Sequence, residues 1–122
     1  MLKFLLDTNV LLYAFQKEFD IKSAIDSSVS EAYSLHTLDV CVEELAKTGK
    51  HRIDTWLKGL NIFVLASENA GSVDDTIIKT AKGDGFCILT EDRALAAKAL
   101  SLGIPIAKKS LRGIKLEIPK IR

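Results

Sequence analysis

The 122-residue sequence has few of the residues that build zinc sites or disulfide frameworks. Its two cysteines, Cys41 and Cys87, are far apart and lie in apolar stretches, and its two histidines, His36 and His51, are isolated. No cluster of cysteine and histidine has metal-binding spacing, and no Ser/His or Cys/His pair lies in a catalytic motif. We therefore expect both cysteines to be reduced thiols in the core, and the sequence argues against a zinc site.

The sequence also lacks long hydrophobic runs. No apolar segment approaches the ~20 residues that span a bilayer, and Asp7 cuts the first run, residues 2–6, short of a signal-peptide core. Hydrophobic residues still make up 48% of the chain against 27% charged residues, which argues against disorder. We expect one compact domain, residues 1–122, in a soluble cytoplasmic protein.

A strong net charge is absent as well, because the formal net charge is +1. By composition alone the chain is not a strongly basic nucleic-acid binder. The charges are unevenly distributed, however. Residues 108–122 carry six basic residues against Glu117, a net charge of +5, whereas the remainder carries eleven basic and fifteen acidic residues, a net charge of −4. The sequence therefore predicts an acid-rich body with a basic C-terminal strip.

Short apolar runs alternate with amphipathic stretches along the chain. This alternation predicts a mostly parallel sheet of about five strands in a three-layer α/β/α fold, with right-handed crossovers. In such sheets, ligands bind beyond the carboxyl ends of the strands. The predicted strands are 2–6, 34–37, 61–65, 86–90 and 104–107, and the predicted helices are 10–15, 19–29, 40–47, 51–58, 72–82 (with Ser72 as N-cap) and 92–102.

Acidic residues lie near the predicted carboxyl edge in four segments. Asp7 follows the first strand, Asp92 lies just beyond the strand 86–90, and two further acids lie in helices that flank neighbouring strands. Carboxylates that share a cleft repel one another, so a cluster of four favours a bound cation. Oxygen ligands suit Mg²⁺ or Mn²⁺, which can activate water and hold phosphodiester oxygens. The pattern predicts metal-dependent phosphoryl hydrolysis.

Two of the four positions offer a choice between adjacent acids. Asp74 falls within the apolar arc of its helix, whereas Asp75 falls outside that arc. Glu44 borders the stripe predicted to be buried in its own helix, whereas Glu43 opposes it. We therefore prefer Asp74 and Glu44, with Asp75 and Glu43 left open as alternatives.

Each of these residues also has a purely structural interpretation. Asp7 or Asp92 can cap the helix that follows it, which is a common role of aspartate after a strand. Asp74 can be a first-turn acid that the helix dipole favours, and Glu44 can be a solvated surface residue. The charges of the basic strip can likewise be solvated.

These motifs resemble those of the PIN domain family over nearly the whole chain. The last motif, a T-x-D-x-x-L block followed by G-I-P, is the most specific of them, and the glutamate motif is weak by itself. The matching segments are LLDTNV at 5–10, VEEL at 42–45, VDDTII at 73–78, ILTEDRAL at 88–95 and LGIP at 102–105.

The resemblance implies a Mg²⁺- or Mn²⁺-dependent ribonuclease. Carried over residue by residue, it makes Asp7, Glu44, Asp74 and Asp92 the catalytic and metal-binding acids, with Asn9 and Thr90 in support. Glu91 stands where the family often has another polar residue. The segments 19–21 and 112–113 are more similar to the branch linked with ribosomal RNA processing than to the VapC-type toxins of toxin–antitoxin pairs.

RNA is the partner that the resemblance implies, and a homodimer, an antitoxin or a ribosome-assembly protein are further candidates. In this hypothesis the basic strip contacts the RNA backbone away from the acids, with little sequence preference. Two alternatives remain: a VapC-type toxin ribonuclease and a PIN-fold RNA-binding scaffold without catalysis. The residues assigned to the backbone are Lys108, Lys109, Arg112 and Lys115.

Overall fold

The computed structural model describes residues 1–49, 52–68 and 70–119. Within these ranges the chain forms six strands and six helices, which largely alternate. The strands are β1 (Leu2–Leu6), β2 (Tyr33–Leu38), β3 (Ile62–Leu65), β4 (Cys87–Leu89), β5 (Ile106–Lys109) and β6 (Ile114–Glu117). The helices are α1 (Thr8–Phe15), α2 (Ile21–Asp26), α3 (Asp39–Ala46), α4 (Ile53–Gly59), α5 (Val73–Asp84) and α6 (Arg93–Ser101).

All six strands form one sheet in the order β3-β2-β1-β4-β5-β6. The strands β1 to β5 are mutually parallel, and β6 pairs with β5 in the antiparallel direction. The chain moves outward from β1 to β3 and then returns to β4 on the other side of β1. Right-handed crossovers therefore place α1–α4 on one face of the sheet and α5 and α6 on the other. The predicted three-layer α/β/α fold is confirmed.

The two central strands are buried because their sequences are almost entirely apolar. Phe4, Leu5 and Leu6 of β1 are fully buried, as is Ile88 of β4. Strands buried on both faces carry continuous apolar runs rather than an alternating pattern. Because polar residues follow where these runs stop, the polar side chains that come after β1 and β4 emerge at the carboxyl edge of the sheet.

Four helices begin at a polar side chain that accepts a backbone hydrogen bond from the first turn. Asp7 caps α1, Asp20 caps α2, Ser72 caps α5 and Asp92 caps α6. Such caps satisfy N–H groups that have no partner inside the helix. The predicted N-cap role of Ser72 is confirmed. Asp7 and Asp92 also cap helices, as their structural interpretation predicted.

The second helix is shorter than the predicted helix 19–29. It ends at Asp26 because the hydroxyls of Ser27 and Ser28 both donate to the carbonyl oxygen of Ala24, at 3.0 and 2.8 Å. Serine side chains that bond nearby carbonyls compete with the helical hydrogen bonds and favour helix ends. The predicted start of the next helix at His51 lies outside the described residues, and α4 begins at Ile53.

The prediction of about five strands missed β6, which lies within the basic strip. Its first residue, Ile114, is buried and donates its backbone N–H to Ser28 Oγ at 2.8 Å. The hairpin formed by β5 and β6 is thereby held against the end of α2. Lys120 and Arg122 of the strip lie outside the described residues.

The structure bears on the cysteines and on the long hydrophobic runs that the sequence lacks. Cys41 and Cys87 are both buried and neither forms a disulfide, as expected of core thiols. Burial raises the pKa of the Cys87 thiol to about 12, so it is held as the neutral thiol. In the described ranges, no helix is long and apolar enough to cross a membrane.

Candidate active site

A cleft of ≈ 190 Å³ lies at the carboxyl edge of the sheet, where β1 and β4 end. It is built from four separate segments: the start of α1, the middle of α3, the first turn and a half of α5, and the start of α6. The structure thus brings together one acid from each of the four predicted segments. The residues that line the cleft are Asp7, Thr8, Asn9, Glu44, Val73, Asp74, Ile77 and Asp92.

Asp7 lies at the base of this cleft and is only 4% exposed. Its Oδ1 accepts the backbone N–H of Val10 at 2.9 Å, and its Oδ2 accepts the hydroxyl of Thr90 in a short hydrogen bond. Burial raises the pKa of Asp7 from 3.8 to about 6, although these two hydrogen bonds oppose the shift. The negative charges of Asp92 and Asp74 add to the increase.

Thr90 connects the acids at the ends of β1 and β4. Its fully buried hydroxyl donates to Asp7 and accepts the backbone N–H of Asp92 at 3.0 Å. Asp92 in turn caps α6, because its Oδ1 accepts the N–H groups of Ala94 and Leu95 at 2.9 and 3.1 Å. One carboxylate oxygen of Asp92 therefore stabilises the helix, and the side chain still lines the cleft.

Glu44 reaches the cleft from α3 and is held there by α1. Its Oε1 accepts the hydroxyl of Thr8 at 2.7 Å. The adjacent Glu43 is exposed and does not line the cleft. No role for Thr8 was predicted from the sequence. Thr8 lies between Asp7 and Asn9 in the polar segment 7–9 that follows the first strand, which was the signal that could have identified it.

The two acids at the start of α5 lie in different surroundings. Asp74 lines the cleft, and its pKa is raised by burial and then by the negative charges of Asp92, Glu44 and Asp75. Asp75 lies outside the cleft, where its Oδ1 forms an ion pair with Lys98 Nζ at 2.6 Å. The lysine holds the pKa of Asp75 below its usual value.

The donor set of the cleft fits a hard divalent cation. Four carboxylates and the amide of Asn9 line it, and none of the described lysines, arginines or histidines does. Much of this donor capacity is already used, because Asp7, Glu44 and Asp92 each accept hydrogen bonds from the protein. Across the described ranges, no three acidic, histidine or cysteine side chains are gathered closely enough to form a ready metal site. The metal-binding and catalytic roles of these acids therefore remain predictions.

None of the four basic residues assigned to RNA lines the cleft. Lys108 of β5 lies opposite Lys115 of β6 and forms an ion pair with Glu117 at 3.2 Å. Lys109 is anchored nearer to the acids, because its backbone N–H donates to Glu91 Oε1 at 2.9 Å, one residue from Asp92.

A second groove, of ≈ 310 Å³, carries the cationic side of the hairpin. Lys109 and the exposed Arg112 both line it, opposite residues at the start and end of α2. The ammonium of Lys109 lies 5.5 Å from the centre of the Phe19 ring and donates to the carbonyl oxygen of Glu18 at 3.3 Å. The positive charge thus lies beside the acidic cleft and outside it.

A larger cavity, of ≈ 350 Å³, lies elsewhere on the molecule, between the end of α1, the start of α2 and α4. Its walls are mostly apolar, and the charged side chains in it are Lys17 and Asp20. It contains no group of carboxylates, so its size does not make it the candidate site.

No protein-family model and no curated protein matches the chain. Solved structures do. The PIN domain endonuclease Utp24 superposes with a TM-score of 0.80 at 20% identity, over 98% of this chain and 96% of that one. A PilT N-terminus domain protein from Sulfolobus solfataricus P2 gives 0.64 at 16% identity, over 88% and 87%. A domain of a functionally unknown protein from Methanocaldococcus jannaschii DSM 2661 gives 0.56 at 17%, over 97% and 98%.

These likenesses concern the fold, since all three identities are low. They extend over most of both chains in every comparison. The chain has a PIN-like fold, and the fold that the sequence motifs implied is confirmed.

Proposed function

We propose that the protein is a divalent-metal-dependent endoribonuclease that hydrolyses RNA phosphodiester bonds. The observation that carries this proposal is the cleft itself, which four carboxylates from four segments line together, with no basic side chain among the described residues of its wall. The likeness of the fold to a PIN domain endonuclease supports it.

Asp7, Glu44, Asp74 and Asp92 are the residues that would hold Mg²⁺ or Mn²⁺. Bound there, a divalent cation would supply an activated water and would neutralise charge on the phosphate oxygens. The raised pKa values of Asp7 and Asp74 fit this role, because positive charge in the cleft favours the ionised carboxylates that burial and mutual repulsion disfavour.

Neutral residues in the cleft and beneath it would orient the acids and the substrate. Thr90 fixes the carboxylate of Asp7, and Thr8 fixes that of Glu44, through hydroxyl groups that bring no charge of their own. Asn9 is exposed at the cleft, where its amide can donate to a phosphate oxygen.

The basic residues of the hairpin would bind the RNA backbone beside the cleft. Lys109, Arg112 and Lys115 are suited to this because they are exposed cations. Lys108 is less available, since Glu117 neutralises part of its charge. Backbone contacts of this kind give affinity that falls with salt and depends little on sequence.

The proposal is tested with the adjacent pair Asp74→Asn and Asp75→Asn. Because only Asp74 lines the cleft, Asp74→Asn is expected to lower cleavage of a fluorescent single-stranded RNA with Mn²⁺ by at least about 100-fold. Asp75→Asn, which removes an ion-pair partner on the same helical turn, should stay within about 3-fold of the wild type. Equal activities of the two variants would contradict the assignment.

For the substrate class, we propose RNA processing, with ribosomal RNA as the first substrate to test and the cytoplasm as the location. The resemblance of segments 19–21 and 112–113 to that branch is the support for it. Crosslinking of the protein to RNA in cells identifies the bound transcripts. Recovery of pre-ribosomal RNA is the expected result, whereas co-purification with a small antitoxin would indicate the toxin branch instead. A homodimer and a ribosome-assembly partner remain predictions that size-exclusion with light scattering can test.

A further inference from the structure

We propose that Asp39 and Ser67 are positioning residues, and that the hydrogen bonds between them hold the acids of α3 and α5 across the cleft. This inference rests on the proposed function, because it concerns the geometry of the same metal-binding acids. Neither residue lines the cleft, so neither is proposed as a ligand.

The carboxylate of Asp39 is strongly engaged at one oxygen. Its Oδ1 accepts the hydroxyl of Ser67 at 2.5 Å, the backbone N–H of Ser67 at 3.2 Å and the backbone N–H of Val40 at 2.8 Å. These hydrogen bonds, that from the Ser67 hydroxyl first, lower the pKa of Asp39. Charge-assisted hydrogen bonds are about twice as strong as neutral ones. The two hydrogen bonds from Ser67 to Asp39 therefore form a strong link between these residues.

The link joins the two segments that deliver facing acids. Asp39 is the first residue of α3, which carries Glu44 one and a half turns later. Ser67 lies two residues after the end of β3, and Asp74 is the second residue of α5. A hydrogen bond between Asp39 and Ser67 thus fixes the start of α3 to the approach of α5.

The segment before α5 transmits this constraint because it is itself bonded to α5. Ser72 caps the helix by accepting the N–H of Asp75 at 3.0 Å. The buried hydroxyl of Thr76 donates to the carbonyl oxygen of Ser72 at 2.8 Å and accepts the N–H of Ala70 at 3.3 Å. Ser67 is therefore fixed to α3, and Ala70 and Ser72 are fixed to α5.

The hydrogen bonds between Asp39 and Ser67 oppose a repulsion between the acids of α3 and α5. Glu44 and Asp74 both line the cleft, and the repulsion between their ionised carboxylates favours separation of α3 and α5. Loss of the link is expected to let the two acids move apart, which weakens a site that needs both of them on one ion.

Isothermal titration of the full chain with Mn²⁺ at 25 °C tests the inference on Ser67→Ala and Asp39→Ala. Each variant is expected to raise the Mn²⁺ dissociation constant by about 10-fold. Ser67→Thr, which retains a hydroxyl donor, should restore most of the affinity. Thermal unfolding without metal, followed in parallel, separates a change of the site from a loss of folded protein.

Tyr33→Phe is the matched control. It removes a 2.7 Å hydrogen bond from the Tyr33 hydroxyl to Asp26, which also joins two elements but lies at the opposite end of β2. The control should alter thermal stability without altering the Mn²⁺ affinity. If Asp39→Ala does not fold, the Mn²⁺ dissociation constants of Ser67→Ala and Ser67→Thr are sufficient to test the positioning role.

The outcomes distinguish this inference from the proposed function. Wild-type protein that binds Mn²⁺, together with a Ser67→Ala variant of unchanged affinity, overturns the positioning role and leaves the nuclease proposal standing. Wild-type protein that binds no Mn²⁺ at millimolar concentration overturns both. A similar loss of affinity in Tyr33→Phe would show a general loss of rigidity and would also overturn the specific role of Asp39 and Ser67.

Discussion

Replacing Asp7 by asparagine is expected to stabilise the metal-free protein at neutral pH, although it should abolish function. Asp7 is almost completely buried beside two other acids, and its pKa is raised from 3.8 to about 6. Asparagine has nearly the same shape and carries no charge. Its carbonyl oxygen can still accept the N–H of Val10, and its amide can donate to the Thr90 oxygen. The substitution thus removes the charge with small changes to the hydrogen bonds.

The magnitude follows from the pKa shift. A carboxylate whose pKa is higher in the folded state destabilises the protein little at pH 4 and not at all well below its unfolded pKa of 3.8, where it is protonated in both states. The penalty grows as the pH rises to about 6 and is fully present above it. The rise of the Asp7 pKa from 3.8 to about 6, at ~1.4 kcal/mol for each tenfold change in the proton equilibrium, lowers the free energy of unfolding by about 3 kcal/mol at pH 7.5. Since the new amide contacts are imperfect, we expect Asp7→Asn to gain about 1–3 kcal/mol there.

Urea unfolding in the presence of a chelator measures this difference at pH 7.5 and again at pH 4. Asp20→Asn is the control, because Asp20 also caps a helix, through a 3.1 Å bond to Ser23 N, but is exposed. It should change stability by no more than about 0.5 kcal/mol, because asparagine caps helices about as well as aspartate. Added Mn²⁺ should reverse the order by stabilising the wild type alone, since only a folded protein that binds the ion gains stability.

The pH dependence decides whether the reasoning is correct. A gain at pH 7.5 that disappears at pH 4 is the expected result. If Asp7→Asn were less stable than the wild type by the same amount at both pH values, the charge of Asp7 would not be the cause. The burial argument would then be refuted, and hydrogen bonding would dominate at this position.

Two further predictions concern the hairpin and its contacts. A β-carbon at Gly113 would overlap Ser28 Oγ and lie 3.0 Å from the Ala24 carbonyl oxygen. Gly113→Ala should therefore lower the free energy of unfolding in urea by about 1–3 kcal/mol. Gly83→Ala, in open space near the end of α5, should instead gain up to about 1 kcal/mol, and a similar loss at both sites would contradict the packing argument. Lys109→Ala should lower RNA affinity and reduce the slope of log affinity against log salt by about one unit in filter binding. An unchanged slope would place the backbone contacts elsewhere.

The architecture and the gathering of the acids could be anticipated because both depend on local patterns. Asp7 and Asp92 come directly after or just beyond buried strands, so the parallel arrangement alone takes them to one edge. The preference for Asp74 over Asp75 came from helical geometry, and only Asp74 lines the cleft. The functional roles of these residues are not a matter of pattern and await experiment.

The features that were missed depend on contacts between distant residues. Strand β6 alternates Ile114, Lys115, Leu116 and Glu117, but four residues are too few for this pattern to stand out within a basic segment. The link between Asp39 and Ser67 joins side chains 28 positions apart, and each is unremarkable in its own segment. No local periodicity marks such a pair.

The residues that hold the acids suggest what the cleft is for. A cluster of carboxylates with only a structural role would be stabilised most simply by a lysine or arginine among them. Lys98, whose positive charge acts on Asp74, is paired with Asp75 on the outside of the cleft. Inside it, hydroxyl and backbone N–H groups orient the carboxylates and leave their negative charge uncompensated. The fold therefore holds one buried acid, Asp7, beside other acids that repel it at neutral pH, which is the condition that a bound divalent cation would relieve.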